Sequence, residues 1–269
     1  NYGVPLVLRD SKTIIDKYPT PAKELGKYYD GAVYGDIWGF ETVGIASSQA
    51  EMDAHLAKAD QSYCGANWTA GDIMYADING DRVVDEGEYT ADNHGDLKII
   101  GNSTPRYNFG LNFDFAYKGF DLKLFFQGTL KRDYMAGSAT FWGATGTGKW
   151  QALGFTAHSD YWTPENTDAY YPRPDWGGWR NTWTQTRYLQ NAAYCRLKNV
   201  TLGYTLPSRL TQKIYVQNLR LFVSAENLLT ITKFTDIADP ELIGAGYGGN
   251  LGKTYPLSKT VSFGVSVTF

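Results

Sequence analysis

Oxygen donors at regular spacing are the first feature that could do chemistry. From Asp77 to Glu88 the chain reads Asp-Ile-Asn-Gly-Asp-Arg-Val-Val-Asp-Glu-Gly-Glu. Asp77, Asn79, Asp81, Asp85 and Glu88 fall at positions 1, 3, 5, 9 and 12 of an EF-hand-like loop, with the Val83 carbonyl at position 7. Hard oxygens in that order wrap one Ca²⁺. Arg82 departs from the pattern, which wants glycine for a sharp turn, and no clear helices flank the loop. Five carboxylates in twelve residues repel one another without a cation. Two readings stand: a Ca²⁺ staple that shapes the loop, or a solvated acidic turn. No organic cofactor is expected.

Other motifs carry less. Gly143 to Lys149 nearly matches a phosphate-binding loop, but Trp150 replaces the magnesium-binding hydroxyl and no buried strand precedes it. It reads as a loop tip. Gly244 to Gly249 is a lone dinucleotide-like match with the same defect. His55, His94 and His158 lie far apart, and there is no nucleophile elbow or Cys/His pattern, so no enzyme is expected. His55 reads as a surface residue of a helix. Trp142, Trp150, Trp162, Trp176, Trp179 and Trp183 crowd one long loop. Their rings either pack that loop onto itself or meet a substrate or covering partner, as interface aromatics do.

Composition narrows the classes. The 269 residues hold 25 basic and 28 acidic side chains, so the basic stripe of a nucleic-acid binder is missing. No apolar run exceeds four residues, far short of the ~20 that a membrane helix needs. Alternating barrel strands escape that test. Cys64 and Cys195 are the only two cysteines, which excludes a disulfide scaffold.

Alternation is strong. From 107 to 117, Tyr107, Phe109, Leu111, Phe113, Phe115 and Tyr117 alternate with small or polar residues, the period of a strand with one apolar face. Phe120, Leu122, Leu124 and Phe126 follow after Lys118-Gly119. A two-residue primed turn there pairs Tyr117 with Phe120, Phe115 with Leu122, Phe113 with Leu124, Leu111 with Phe126 and Asp114 with Lys123. Strands at 198–206, 219–226 and 260–269 share the pattern, making five. Short turns alternate with long stretches at 128–192 and 228–259, the asymmetry of an outer-membrane barrel. Ser48 and Glu51 form a capping-box match opening a helix over 48–59.

Ordered blocks then carry a resemblance. They include Tyr34 to Glu41, Asp77 to Asp81, Ile99 to Tyr107, Gly119 to Leu122, Phe125 to Gly128, Asp160 to Asn166, Tyr188 to Asn191, Arg196 to Tyr204 and Ala225 to Leu228. From about residue 28 onward the chain resembles the C-terminal part of a SusC/RagA-type TonB-dependent outer-membrane transporter of Bacteroidetes. The resemblance implies an all-β, antiparallel transmembrane barrel of the ~22-stranded class. It implies a plug, a SusD-like surface lipoprotein lid, contact with TonB through an N-terminal part absent here, and import of glycans or oligopeptides across the bacterial outer membrane. Five strands cannot close such a barrel, so the chain reads as a fragment or one piece of a larger assembly. Residues 1–106 are then an extracellular loop region and 107–269 the C-terminal barrel strands with their long loops. The competing reading is a soluble secreted β-sandwich that binds carbohydrate through loop aromatics.

Overall fold

The computed structural model describes residues 1–146, 154–244, 254–255 and 257–269. The chain opens with β1 (Tyr2–Gly3) and β2 (Leu6–Arg9), followed by β3 (Asp36–Phe40), β4 (Thr42–Ile45), helix α1 (Gln49–Leu56) and β5 (Ile73–Tyr75). Next come β6 (Leu97–Asn102), β7 (Arg106–Tyr117), β8 (Phe120–Lys131) and β9 (Asp133–Met135). A long excursion returns through β10 (Leu189–Asn191) to β11 (Tyr194–Thr205), β12 (Asn218–Thr232) and β13 (Thr260–Thr268).

Seven strands form one antiparallel sheet in the order β1/β2, β7, β8, β11, β12, β13. Three two-stranded ladders, β3 with β6, β4 with β5 and β9 with β10, lie apart from it. The β7–β8 register matches the pairing read from the turn: Tyr117 faces Phe120, Phe113 faces Leu124 and Asp114 faces Lys123. Lys118 and Gly119 both hold positive φ, 47° and 89°, as a primed turn requires.

Two features depart from the sequence expectation. Residues 2–9, assigned to the loop region, join the sheet: Leu6 pairs with Leu111 and Leu8 with Phe109. Pro5 splits this strand into β1 and β2, so no long alternating run marks it. The strands also outrun their alternation. β11 starts at Tyr194, because the register shifts between Leu197 and Asn199. The extra residue there, Lys198, moves the outward row from odd to even numbers, a bulge that hides the strand's first turn from a period-two reading.

One face of the sheet carries the apolar rows. Leu6, Phe115, Phe120, Leu202, Leu221 and Val261 are exposed, and Phe263 is 85% exposed. Among the described residues no second sheet covers them, contrary to the sandwich alternative. The opposite face is mainly polar and small, though Phe125 and Phe222 also lie on it. Thr129 donates to Asn108 at 2.8 Å, Thr201 shares a 3.0 Å hydrogen bond with Ser224, and Arg220 grips Asp121 at 2.9 and 2.5 Å. Glycines make room there for neighbouring side chains. A Cβ on Gly264 would sit 2.2 Å from the Phe222 ring, and one on Gly203 would sit 2.4 Å from the Arg220 guanidinium.

The buried core lies elsewhere, in a body formed by the small ladders, α1 and the described residues of the excursion between β9 and β10. Phe40, Met52, Ile73, Tyr75, Phe141 and Tyr188 are fully buried in it. Each such side chain contributes about 1.5–3 kcal/mol of burial. Ser48 caps α1 by accepting from the Glu51 amide at 3.2 Å. Glu51 reaches back to Ser47, accepting from its amide at 2.7 Å and its hydroxyl at 2.5 Å. Those bonds hold the Glu51 carboxyl below its usual range. The helix ends at Leu56, shorter than the expected span to 59.

Candidate functional site

The 77–88 loop is organised by its own side chains. Asp77 accepts from the amides of Gly80 (2.6 Å) and Arg82 (2.9 Å), Asn79 from Asp81 (2.9 Å), and Asp81 from Val83 (2.8 Å). Asp85 accepts from the Gly87 amide at 2.7 Å. Arg82 takes φ 71°, the left-handed conformation that glycine supplies at this position of a cation loop. Val84 is buried and bonds through its amide to the Asp60 carbonyl at 2.8 Å, while the Asp60 amide bonds to the Arg82 carbonyl at 2.8 Å.

Sequence reasoning missed the residue that draws this loop together. Asp96 is fully buried and accepts from the amides of Ile78 (2.6 Å), Asn79 (3.2 Å) and Asp85 (3.0 Å). Burial pushes its carboxyl up despite those three donors. The carboxylates of Asp77, Asp81 and Asp85 are thus turned onto backbone amides. Among the described residues no group of three or more His, Cys, Asp or Glu converges as metal ligands.

The loop tryptophans divide into two sets. Trp142 and Trp162 are 3% and 8% exposed, and the Trp142 ring packs 4.7 Å from Tyr188. Trp183 is half-buried, stands 5.7 Å from Phe40 and donates its indole N–H to the Cys64 carbonyl at 2.8 Å. Trp176 and Trp179 are 58% and 54% exposed, and Trp179 rests 5.1 Å from Trp183. Trp150 lies outside the described residues, as do most of the glycine-rich stretches 143–150 and 244–249.

Polar groups missed by the motif search pin the loops to the sheet. Arg196, on the polar face of β11, is buried and donates to Asp239 (2.6 Å), Glu241 (2.7 Å) and the Thr230 hydroxyl (2.8 Å). Lys198 adds a 3.0 Å bond to Glu241. A second aromatic group also escaped notice. Tyr18, Tyr28 and Tyr34 gather beside a cleft of about 450 Å³. They sit at irregular spacing in a turn-rich segment, so no periodicity marks them.

The histidines stay apart. His55 is half-buried rather than superficial and shares a 3.1 Å hydrogen bond with Gln61, and burial pulls its imidazole below the usual range. His158 bonds the Phe141 carbonyl at 3.0 Å. Both cysteines are free, and burial pushes the Cys64 thiol up to about 12. No helix of the described residues is long and apolar enough to cross a membrane, which says nothing of crossing by strands.

No family model matches the chain. It is 30% identical over 253 residues to TonB-dependent receptor P3 of Formosa agariphila, covering 89% of this chain and 22% of that receptor. To TonB-dependent receptor P26 of the same organism it is 28% identical over 241 residues, covering 86% of this chain and 22% of the receptor. The solved structure of the RagAB peptide transporter superposes on 95% of this chain and 25% of that chain, with TM-score 0.61 and 23% identity. This chain resembles one segment of a SusC/RagA-type TonB-dependent transporter. The RagAB peptide importer in its closed-closed state gives the same TM-score, 0.61, at 24% identity. At such identity the RagAB structures speak for the fold. The transporter-like chain spans 22% of the length of the curated relatives it matches. Those relatives are named as receptors, not as enzymes.

Proposed function

We propose that this chain supplies part of the wall and part of the outer surface of a TonB-dependent outer-membrane transporter. Its sheet joins strands outside this chain to close a barrel of the ~22-stranded class. Glycan or oligopeptide is captured under a SusD-like surface lipoprotein and passes inward when TonB acts on the plug. The observation that carries the reading is the two-faced sheet. Its apolar rows lie bare on one side, and its other side is lined mainly by hydroxyls, amides and paired charges. Water penalises the bare rows and lipid does not. In this reading the loops around 128–192 and 228–259 face outward, and exposed Trp176 and Trp179 meet cargo or lid.

The test is purification from membranes. The whole transporter is expected in the outer-membrane fraction, soluble only in detergent, and accompanied by a surface lipoprotein and a bound glycan or peptide. A detergent-free, monodisperse protein without that partner would sink the reading.

The same reading includes a Ca²⁺ staple held by Asp77, Asn79, Asp81, Val83, Asp85 and Glu88. The donor order, the left-handed Arg82 and the tethered Val84 support it, and the amide-bound carboxylates must turn to meet the ion. Titration calorimetry of the intact protein is expected to show Ca²⁺ heat that Asp77→Ala removes. No heat from either protein retires the staple.

A further inference from the structure

The cleft beside Tyr18, Tyr28 and Tyr34 belongs to none of the features above. It encloses about 450 Å³, within the ~300–1,000 Å³ range of small-ligand sites. The Tyr18 and Tyr28 rings meet edge to face at 5.6 Å and 83°, and Tyr28 and Tyr34 lie 5.9 Å apart, tilted by 31°. All three stay 43–47% exposed. Trp38 forms part of the lining, backed by His94 at 5.2 Å.

The mount beneath them is stiff. Ile15 and Gly31 bond to the carbonyls of Ala32 and Ile15 at 2.9 and 2.8 Å, and the Tyr34 amide bonds to the Thr13 carbonyl at 2.9 Å. The Tyr34 carbonyl accepts from Asn102 (3.1 Å) and Thr104 (2.9 Å). Gly35 holds φ 87°, and a Cβ there would lie 2.3 Å from the Thr104 hydroxyl. The backbone that carries Tyr34 is therefore set before any ligand arrives, which lowers the ordering cost of binding.

We infer that this cleft binds a neutral saccharide ring. A sugar has one flat C–H face and a rim of hydroxyls, and the cleft is lined by Tyr18, Tyr28, Tyr29, Tyr34 and Trp38 beside Asp36. A peptide finds less. The Leu25 and Tyr34 amides are already bonded to the Tyr89 and Thr13 carbonyls, and Lys27, the cation in the lining, is paired with Glu24 at 2.7 Å. The inference rests on the transporter reading only in making the sugar a cargo; the binding itself stands apart from uptake.

Saturation-transfer NMR on the protein, in a detergent without sugar headgroups, tests it. The probes are maltotriose, cellotriose and xylotriose, with the tripeptide Gly-Phe-Gly for contrast. At least one trisaccharide is expected to receive saturation on its ring C–H protons. Tyr28→Ala and Tyr18→Ala are each expected to weaken binding by roughly tenfold, the loss of one stacked ring. Tyr215→Ala, at an exposed tyrosine outside the cleft lining, leaves binding unchanged, and circular dichroism confirms that the variants are folded. No transfer to any trisaccharide, transfer that survives both tyrosine variants, or transfer to the tripeptide alone overturns the inference. Sugar binding without cellular uptake would leave the site standing and remove the transport reading instead.

Discussion

Asp72→Ala is expected to loosen the loop body by about 3 kcal/mol, the low end for removing one partner of a buried ion pair. Asp72 has no exposed surface. Its carboxylate accepts from the Thr69 amide (2.9 Å), Arg180 Nε (3.1 Å) and Asn181 Nδ2 (2.9 Å), with Arg173 at 3.5 Å. Asn181 in turn accepts from the Ile73 amide at 2.9 Å. One side chain thus stitches the segment before β5 to the excursion between β9 and β10. Arg180 keeps a 2.8 Å pair with Asp175 after the change, and Arg173 is one-third exposed, so the cost stays at the low end. Hydrogen exchange at Ile73 and Tyr75 is expected to speed by about two orders of magnitude, the equivalent of that free energy. Asp72→Asn, which keeps the shape and loses the charge, is expected to fall between. Unchanged protection in the alanine variant would show that apolar packing alone holds the two segments.

The second large effect tests the face of the sheet. Phe113 sits mid-strand in β7, opposite Leu124, in the apolar row. If that row faces lipid, Phe113→Arg costs about 2–4 kcal/mol of folded stability in vesicles, as a charge near the bilayer midplane does. Asn112→Arg, one residue along on the polar face, is expected to cost less than half as much. The measurement is the urea midpoint of the vesicle-inserted transporter. Equal effects at the two positions would mean that both faces see water, and the lipid-facing assignment would fall.

Legibility followed the range of the interactions. The β7–β8 hairpin could be read residue by residue because its register is set by neighbours: a two-residue turn with positive φ and an alternation that a slip of one would invert. The cap of α1 was readable for the same reason, since Ser48 and Glu51 are three residues apart. Reading failed where the chain breaks phase. Pro5 cut the first strand into pieces too short to show a period, and the bulge at Lys198 changed which residues of β11 point outward. Asp96 was invisible as the tie of the 77–88 loop because it lies beyond the motif.

What the sequence determined alone was local: an antiparallel β protein without membrane helices, a hairpin with a fixed register, a donor-rich loop and a crowd of tryptophans. Only the tertiary structure decided which tryptophans are buried, that Asp72 meets Arg180 and Asn181 across more than a hundred residues, and that three unevenly spaced tyrosines share one cleft. Turns and alternation are fixed by steric rules between near neighbours. Burial and convergence depend on which distant segments close on one another, and single-residue patterns do not encode that.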